Sequence, residues 1–317
     1  MNKKRTYLLF FVIIIFFVIG CIYQKYGVES DMKLLIPPGK MEDVNGHAMH
    51  VYSQGSPDSP YTIVLAAGSG TTSPYADFYP LYSRIDKKQR VILYERPGYG
   101  WSEPLHKQQN VDSMAKELHE LLSKSGESGP YILLAHSMGS LELINYAMFY
   151  PNEVAGVVLI DGISPEYAMG FEQTVLMKLG WGAMSLAKNS GILRGLSKLG
   201  ITDGLFVDID GLPEDLKEIK VAMALNNLNN LDMKLEMQSM SENGRLLKEK
   251  GNLGDLPMLV ISATNNGYKN WEQTQSELLL LSSRATHVVF PNTKHYIHHV
   301  KSEQIIEEIK KFIKDLN

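Results

Sequence analysis

A single cysteine, Cys21, is all the chain carries, so no disulfide can form within it and its stability has to come from packing. Charge imbalance is nearly absent as well: 31 basic against 35 acidic side chains leave a formal net charge of -4. That removes the electrostatic case for a nucleic-acid partner. Internal repeats and low-complexity tracts are also missing, which sets aside repeat architectures and disordered chains. What remains, 44% apolar and 21% charged residues over 317 positions, is the composition of a globular protein long enough to bury a large core.

The one long uninterrupted apolar run stands near the start. Lys3, Lys4 and Arg5 precede "YLLFFVIIIFFVIG", which holds no charged residue. As a helix, residues 7–23 would span about 25 Å, within reach of a membrane span. The basic cluster is expected to stay in the cytoplasm, which puts the rest of the chain on the extracytoplasmic side. Val18-Ile19-Gly20-Cys21 resembles the lipobox of bacterial lipoproteins, in which cleavage before Cys21 and lipidation of its thiol would anchor the mature chain. An uncleaved helical anchor and a lipoprotein therefore both stay open for residues 1–27. A freely secreted form is the weakest alternative, because no A-x-A-like site follows. Residues 28–39, which contain Pro37-Pro38, read as a tether.

Beyond the tether the pattern alternates. "KMEDVNGHAMHVYSQG" reads as two strands turned at Asn45-Gly46, a favoured two-residue hairpin. "YTIVLAA", "RVILYE", "YILLA", "GVVLID", "PMLVISA" and "THVVF" are continuous apolar runs of strand length, suited to a mainly parallel sheet buried on both faces. Between them lie helical patterns, and "SEQIIEEIKKFIKDL" closes the chain with apolar residues at i, i+3 and i+4 spacing. The expected class is α/β, with helices on both faces of the sheet. Residues 162–255 break the alternation: they read as helices without strands, and hold Met169, Met177, Met184, Met223, Met233, Met237 and Met240. Most of these fit the core of a helical subdomain, while some could line an adaptable apolar pocket.

"YILLAHSMGS" carries the chemistry. A buried strand ends at Ala135, a helix pattern begins after Met138, and Ser137 stands between them among small residues. The segment resembles the G-x-S-x-G nucleophile turn of α/β hydrolases, with Ala135 where the first glycine is usual. N–H groups at the helix start would face a developing oxyanion. "AAGSGTTSP" occupies the place of that family's oxyanion loop, although Ala67-Gly68-Ser69 replaces its His-Gly-x. The backbone N–H groups of Ser69 and Met138 are the expected donor pair, with Gly70 as the alternative if the register shifts by one. "YERPGYGWSE" matches the family's D-R-x-G-x-G-x-S segment with Glu95 in place of Asp, and Glu95 and Arg96 read as scaffold.

A nucleophilic serine needs a base, and the base an orienting carboxylate. "PNTKHYIHHV" follows the last strand, where the family carries its histidine loop, and the small-His-aromatic pattern selects His295. His298 and His299 fall in the following segment and read as packing or surface residues. No carboxylate or cysteine at suitable spacing joins the H-x-x-H-H run, so no metal site is expected. His47 and His50 flank the first hairpin, away from the site. The family's usual acid follows the penultimate strand, but this chain has Asn266 there. Asp255 precedes that strand, at the wrong end of the sheet. Asp161 ends "GVVLID", a position from which haloalkane dehalogenases and some lipases of the superfamily take their acid. The competing reading of Asp161 is a turn cap.

The resemblance to α/β hydrolases spans residues 40–315. It implies a core formed by 40–161 and 256–317, a helical cap over 162–255, and hydrolysis of a carboxylic ester by Ser137, His295 and Asp161 through an acyl-enzyme, with no cofactor and no metal. Ser137 speaks against dehalogenase and epoxide-hydrolase chemistry, which use aspartate at that position. A methionine-rich cap beside a membrane suggests a small-molecule ester substrate of hydrophobic character. An iminopeptidase-type peptidase and a non-catalytic ligand-binding protein on the same fold are the alternatives.

Overall fold

The computed structural model describes residues 3–202, 204, 209 and 211–316; six positions of the expected cap and the first two of the expected anchor lie outside them. The strands are β1 (Lys40–Val44), β2 (His47–Gln54), β3 (Thr62–Ala66), β4 (Arg90–Tyr94), β5 (Tyr131–His136), β6 (Val154–Ile160), β7 (Met258–Ala263) and β8 (Ala285–Phe290). They form one sheet in the order β1-β2-β4-β3-β5-β6-β7-β8. β2 runs antiparallel to both β1 and β4, and every pairing from β4 to β8 is parallel. At the β1–β2 turn Asn45 and Gly46 have φ of 52° and 86°, the left-handed pair a two-residue hairpin demands.

The longer helices are α1 (Lys3–Leu34), α2 (Val111–Lys124), α3 (Gly139–Phe149), α4 (Pro165–Met169), α5 (Val175–Asn189), α6 (Ile192–Lys198), α7 (Glu214–Asn227), α8 (Leu231–Lys250), α9 (Trp271–Leu279) and α10 (Ser302–Leu316). Local chemistry starts them. The Asn110 side chain accepts from the Ser113 amide at 3.0 Å, and the Ser113 hydroxyl accepts from the Asn110 amide at 3.1 Å, a reciprocal cap worth about 1 kcal/mol.

Period-two alternation feeds two cores. Val64, Ala66, Leu133 and Ala135 face the layer of α2, α3 and α9, while Ile63, Leu65, Ile132 and Leu134 face the layer that contains α10. The apolar stripe of α10 closes the second layer with Ile305, Ile309 and Phe312. The helices α4 to α8 all fall between β6 and β7, with no strand among their described residues. α8 crosses α4 so closely that a Cβ on Gly244 would lie 2.5 Å from the Met169 nitrogen and the Pro165 oxygen. Glycine is therefore required at that crossing.

The segment expected as a tether differs from that reading. Residues 28–34 continue α1 as helix, because polar groups on that stretch are bound to helices between β6 and β7. Arg194 pairs with Asp31 at 2.8 Å and donates to Gln24 Oε1 at 2.8 Å, and Gln24 Nε2 donates to the Leu225 carbonyl at 3.0 Å. The apolar first part of α1 is exposed along its length and is long and apolar enough to cross a membrane.

Candidate active site

The order of strands reverses about β3: the chain runs on to β4 on one side and to β5 on the other. Loops leaving the carboxyl ends of β3 and β5 therefore part and open a crevice there. Ser137 follows β5 with φ of 52°, a left-handed conformation that turns its side chain out above the sheet. The bend works only with small neighbours. A Cβ on Gly139 would lie 2.7 Å from the Ala67 carbonyl oxygen, and one on Gly68 would lie 2.9 Å from Ser137 Cβ. Ala135 stands in β5, fully buried, so its methyl group packs into the core and leaves the bend itself unobstructed.

Three expected residues meet. His295 Nε2 lies 2.8 Å from Ser137 Oγ, and His295 Nδ1 lies 2.6 Å from Asp161 Oδ2. Asp161 ends β6 in a left-handed conformation, φ 47°, and is fully buried. Its Oδ1 accepts from the Ala263 amide at 2.9 Å and from Trp271 Nε1 at 2.8 Å, and its Oδ2 accepts from Asn266 Nδ2 at 3.1 Å. A buried carboxylate so surrounded by donors has its hydrogen-bonding needs met and is fixed in direction. Asn266, where the family's acid is usual, thus donates to Asp161. The His295 ring is bounded by Tyr268, Trp271 and Tyr296, all nearly edge-on, and by His136 at 4.7 Å. Burial, followed by His298 and His295, holds His136 well below the usual histidine range. It therefore stays neutral beside the candidate base.

Ser69 and Met138 both line the cavity above Ser137. The amide of Gly70, the alternative donor, is already bound to the Tyr99 hydroxyl at 3.2 Å, which leaves Ser69 and Met138 as the expected pair. Arg96, expected to be scaffold, grips the carbonyls of this loop: Nη1 donates to Ala67 O at 2.7 Å and Nη2 to Gly68 O at 3.3 Å. Its guanidinium also pairs with Glu236 of α8 at 2.9 Å and approaches Glu142 of α3 at 3.5 Å. Glu95 is fully buried under the Gly100–Trp101 turn, where its carboxylate meets His50 Nδ1 at 2.9 Å and accepts from the Trp101 amide at 2.7 Å.

Of the two readings of His298 and His299, packing holds and surface does not, and the expectation that no carboxylate joins them needs correction. Neither is at the surface, and a carboxylate from far along the chain joins them. His298 Nε2 lies 3.0 Å and His299 Nε2 2.9 Å from the two oxygens of Asp77, with Lys220 of α7 4.0 Å away. Spacing of 221 residues between Asp77 and His298 gave no signal in the sequence. Among the described residues this is the one cluster of three such donors close enough to hold a metal ion, but each imidazole already has Asp77 as its partner. The two histidines keep the Asp77 carboxyl well below its usual range against the cost of burial. Burial pushes His298 down to about 4.

Above Ser137 and His295 opens a cavity of about 1190 Å3. Of the seven methionines singled out between β6 and β7, Met177, Met184, Met233, Met237 and Met240 line it, together with Trp181, Leu228 and Phe171. Met169 is exposed, and Met223 is buried in a separate cluster with Leu35 and Ala222. Trp271, the other side chain holding Asp161, begins an ordinary amphipathic helix and carried no motif to reveal it.

A family model described as alpha/beta hydrolase fold matches residues 61–181. The Bacillus subtilis protein YbdG, itself uncharacterised, is 27% identical over 245 residues, 77% of this chain and 74% of its own. Among solved structures, Cfl2 from Burkholderia cenocepacia superposes with a TM-score of 0.65 at 21% identity, over 86% of this chain and 94% of its own. A thermophilic esterase from Thermogutta terrifontis superposes with a TM-score of 0.62 at 16% identity, over 87% and 99%. At such identities the structural likeness is one of fold. With its sheet order, its matched family model and these neighbours, the chain has the α/β-hydrolase fold.

Proposed function

We propose that this hydrolase cleaves carboxylic esters through Ser137, His295 and Asp161. The observation that carries the reading is the unbroken hydrogen-bonded line from hydroxyl to imidazole to buried carboxylate. Ser137 Oγ attacks the ester carbonyl while His295 Nε2 takes its proton, and the negative charge on the carbonyl oxygen is met by the Ser69 and Met138 amides. His295 then protonates the leaving alkoxide, which departs as alcohol and leaves an acyl group on Ser137. Water, deprotonated by His295, splits that ester, releases the acid and restores the serine. Asp161 holds His295 Nδ1 protonated and stabilises the imidazolium of each step.

A roomy, methionine-lined cavity favours a substrate with a hydrophobic acyl or alcohol portion, since Met side chains adapt to apolar groups of varied shape. α1 anchors the chain in a membrane with the catalytic domain on the extracytoplasmic side, by the basic residues at its start. A fluorophosphonate probe tests the chemistry. Stoichiometric labelling at Ser137, lost in Ser137→Ala, is expected, together with hydrolysis of p-nitrophenyl esters. Well-folded protein that takes no label overturns the reading in favour of a binding protein. A labelled protein that cleaves proline amides and spares esters overturns the substrate class in favour of a peptidase.

A further inference from the structure

α5 is apolar on two opposite sides. Met177, Trp181 and Met184 face the cavity, while Leu176 and Leu179 are 78% and 66% exposed on the other side. The exposed set includes Leu186 of the same helix, 57% exposed, and continues across the turn to Ile192, Leu199 and Ile201, which are 56%, 74% and 65% exposed. Large apolar side chains exposed in series on the side of a helix turned away from its own protein mark an interaction surface.

The position of this patch relative to α1 identifies what covers it. The turn Ser190–Gly191, between α5 and α6, sits directly on Gly20: a Cβ on Gly20 would lie 2.1 Å from Ser190 O, and one on Gly191 2.5 Å from Gly20 O. Gly20 stands near the end of the apolar run at residues 7–23. The turn that joins the two exposed apolar stretches therefore lies beside the end of the membrane-spanning stretch. Arg194 of α6 fastens the arrangement through Gln24 and Asp31 of α1, and Lys198 lies 5.5 Å over the Tyr23 ring. Lysine and tyrosine stacked at the close of an apolar span are the groups that settle at a lipid headgroup boundary. From Gly20 to Leu34 the helix climbs about 21 Å further, which carries the sheet away from the bilayer while α5 and α6 stay beside it.

We propose that the outer face of α5 and α6 is a membrane-docking surface, seated shallowly in the headgroup region of the same bilayer that α1 spans. The inference rests on the reading of α1 as an anchor. It also narrows the substrate: the wall of the cavity formed by Met177, Trp181 and Met184 is the reverse side of the docked helix. The ester that reaches Ser137 is then an acyl lipid drawn from the adjoining leaflet.

A depth measurement tests the docking without reference to catalysis. In the full chain with Cys21→Ser, which keeps α1 as an anchor, Leu179→Cys supplies a unique thiol for an environment-sensitive nitrobenzoxadiazole probe. Lys310→Cys, exposed on α10, is the reference. In phosphatidylcholine–phosphatidylglycerol vesicles, a probe lying about 5–10 Å into the headgroup boundary should show blue-shifted emission. Its quenching by lipids spin-labelled near the headgroup should be several-fold stronger than at position 310. Equal quenching at the two positions, in protein that floats with the vesicles, overturns the docking and leaves the anchor standing. Protein that fails to float overturns both. A blue shift that persists in detergent and grows with protein concentration overturns the lipid assignment in favour of a second copy of the chain.

Discussion

Two buried aspartates at one end of the sheet each hold histidine, and they end differently. Asp161 receives three N–H donors besides His295, and the line runs outward to Ser137 Oγ. Asp77 holds His298 and His299 on its two oxygens, with Lys220 of α7 nearby, and among the described residues no serine hydroxyl is bonded to either imidazole. The residue types are nearly the same. What separates them is a left-handed bend that turns a serine toward one imidazole, and a set of donors that leaves one carboxylate oxygen shared between His295 and Asn266. A chemical site is defined by the group at the end of the hydrogen-bonded line, and a pairing of aspartate with histidine can equally serve to hold loops together.

Substitutions at the two aspartates should separate these roles. Asp161→Asn keeps the shape of the side chain but offers His295 Nδ1 an uncharged partner. Turnover of a p-nitrophenyl ester is expected to fall about 10^4-fold, with the unfolding midpoint close to the parent's. Turnover within a few-fold of the parent would mean that another group orients His295. A smaller change follows at Trp271, whose indole N–H reaches Asp161 Oδ1 at 2.8 Å. Trp271→Phe removes one hydrogen bond to a charged group, worth about 1.5 kcal/mol, so kcat should drop about tenfold with KM little altered. An unchanged kcat would assign Trp271 to packing alone.

The contrast also explains what could be read in the sequence. Strands buried on both faces announce themselves as apolar runs, and the turn at Asn45-Gly46 by its residue pair, so the sheet and its flanking helices were legible. Ser137 and His295 were legible because each follows a strand in a short local pattern, and Asp161 because it ends one. Arg96 and Asn266 stood in segments the sequence singled out, but the carbonyls and the carboxylate they bind are brought near only by the fold, and nothing in the surroundings of Trp271 marks it. Asp77 was hidden for the same reason, with its partners at the other end of the chain. The helical extension of α1 through Leu34 was missed because Gln24 and Asp31 look like solvated residues until Arg194 is set against them.

Asp77→Asn should act on stability where Asp161→Asn acts on turnover. The substitution leaves two buried imidazoles facing a neutral amide, at a cost of about 1–3 kcal/mol, while kcat stays within a few-fold of the parent. Chemical denaturation with the ester assay run in parallel reads both. A large loss of turnover with no loss of stability would place Asp77 in the reaction and break the distinction between the two clusters.

Glu142 provides the smallest test, and one that depends on pH. It is buried beside Arg96, 3.5 Å away, with no histidine partner. Burial pushes its carboxyl from an ordinary 4.5 up to about 7, against the pull of Arg96. The folded state then binds a proton that the unfolded chain has already released, so this group's stability contribution is complete below about 4.5 and is lost as pH rises through about 7. Glu142→Gln replaces the carboxyl with a neutral group of the same shape and removes that loss. Thermal unfolding followed from about pH 5 to about pH 8 should show the parent losing Tm by a few degrees more than the variant. Parallel curves would mean that Arg96, shared with Glu236 of α8, keeps Glu142 ionised throughout. In that case the carbonyls of Ala67 and Gly68 are held by a guanidinium shared between two ionised carboxylates, where Asp161 is held by neutral donors and His295.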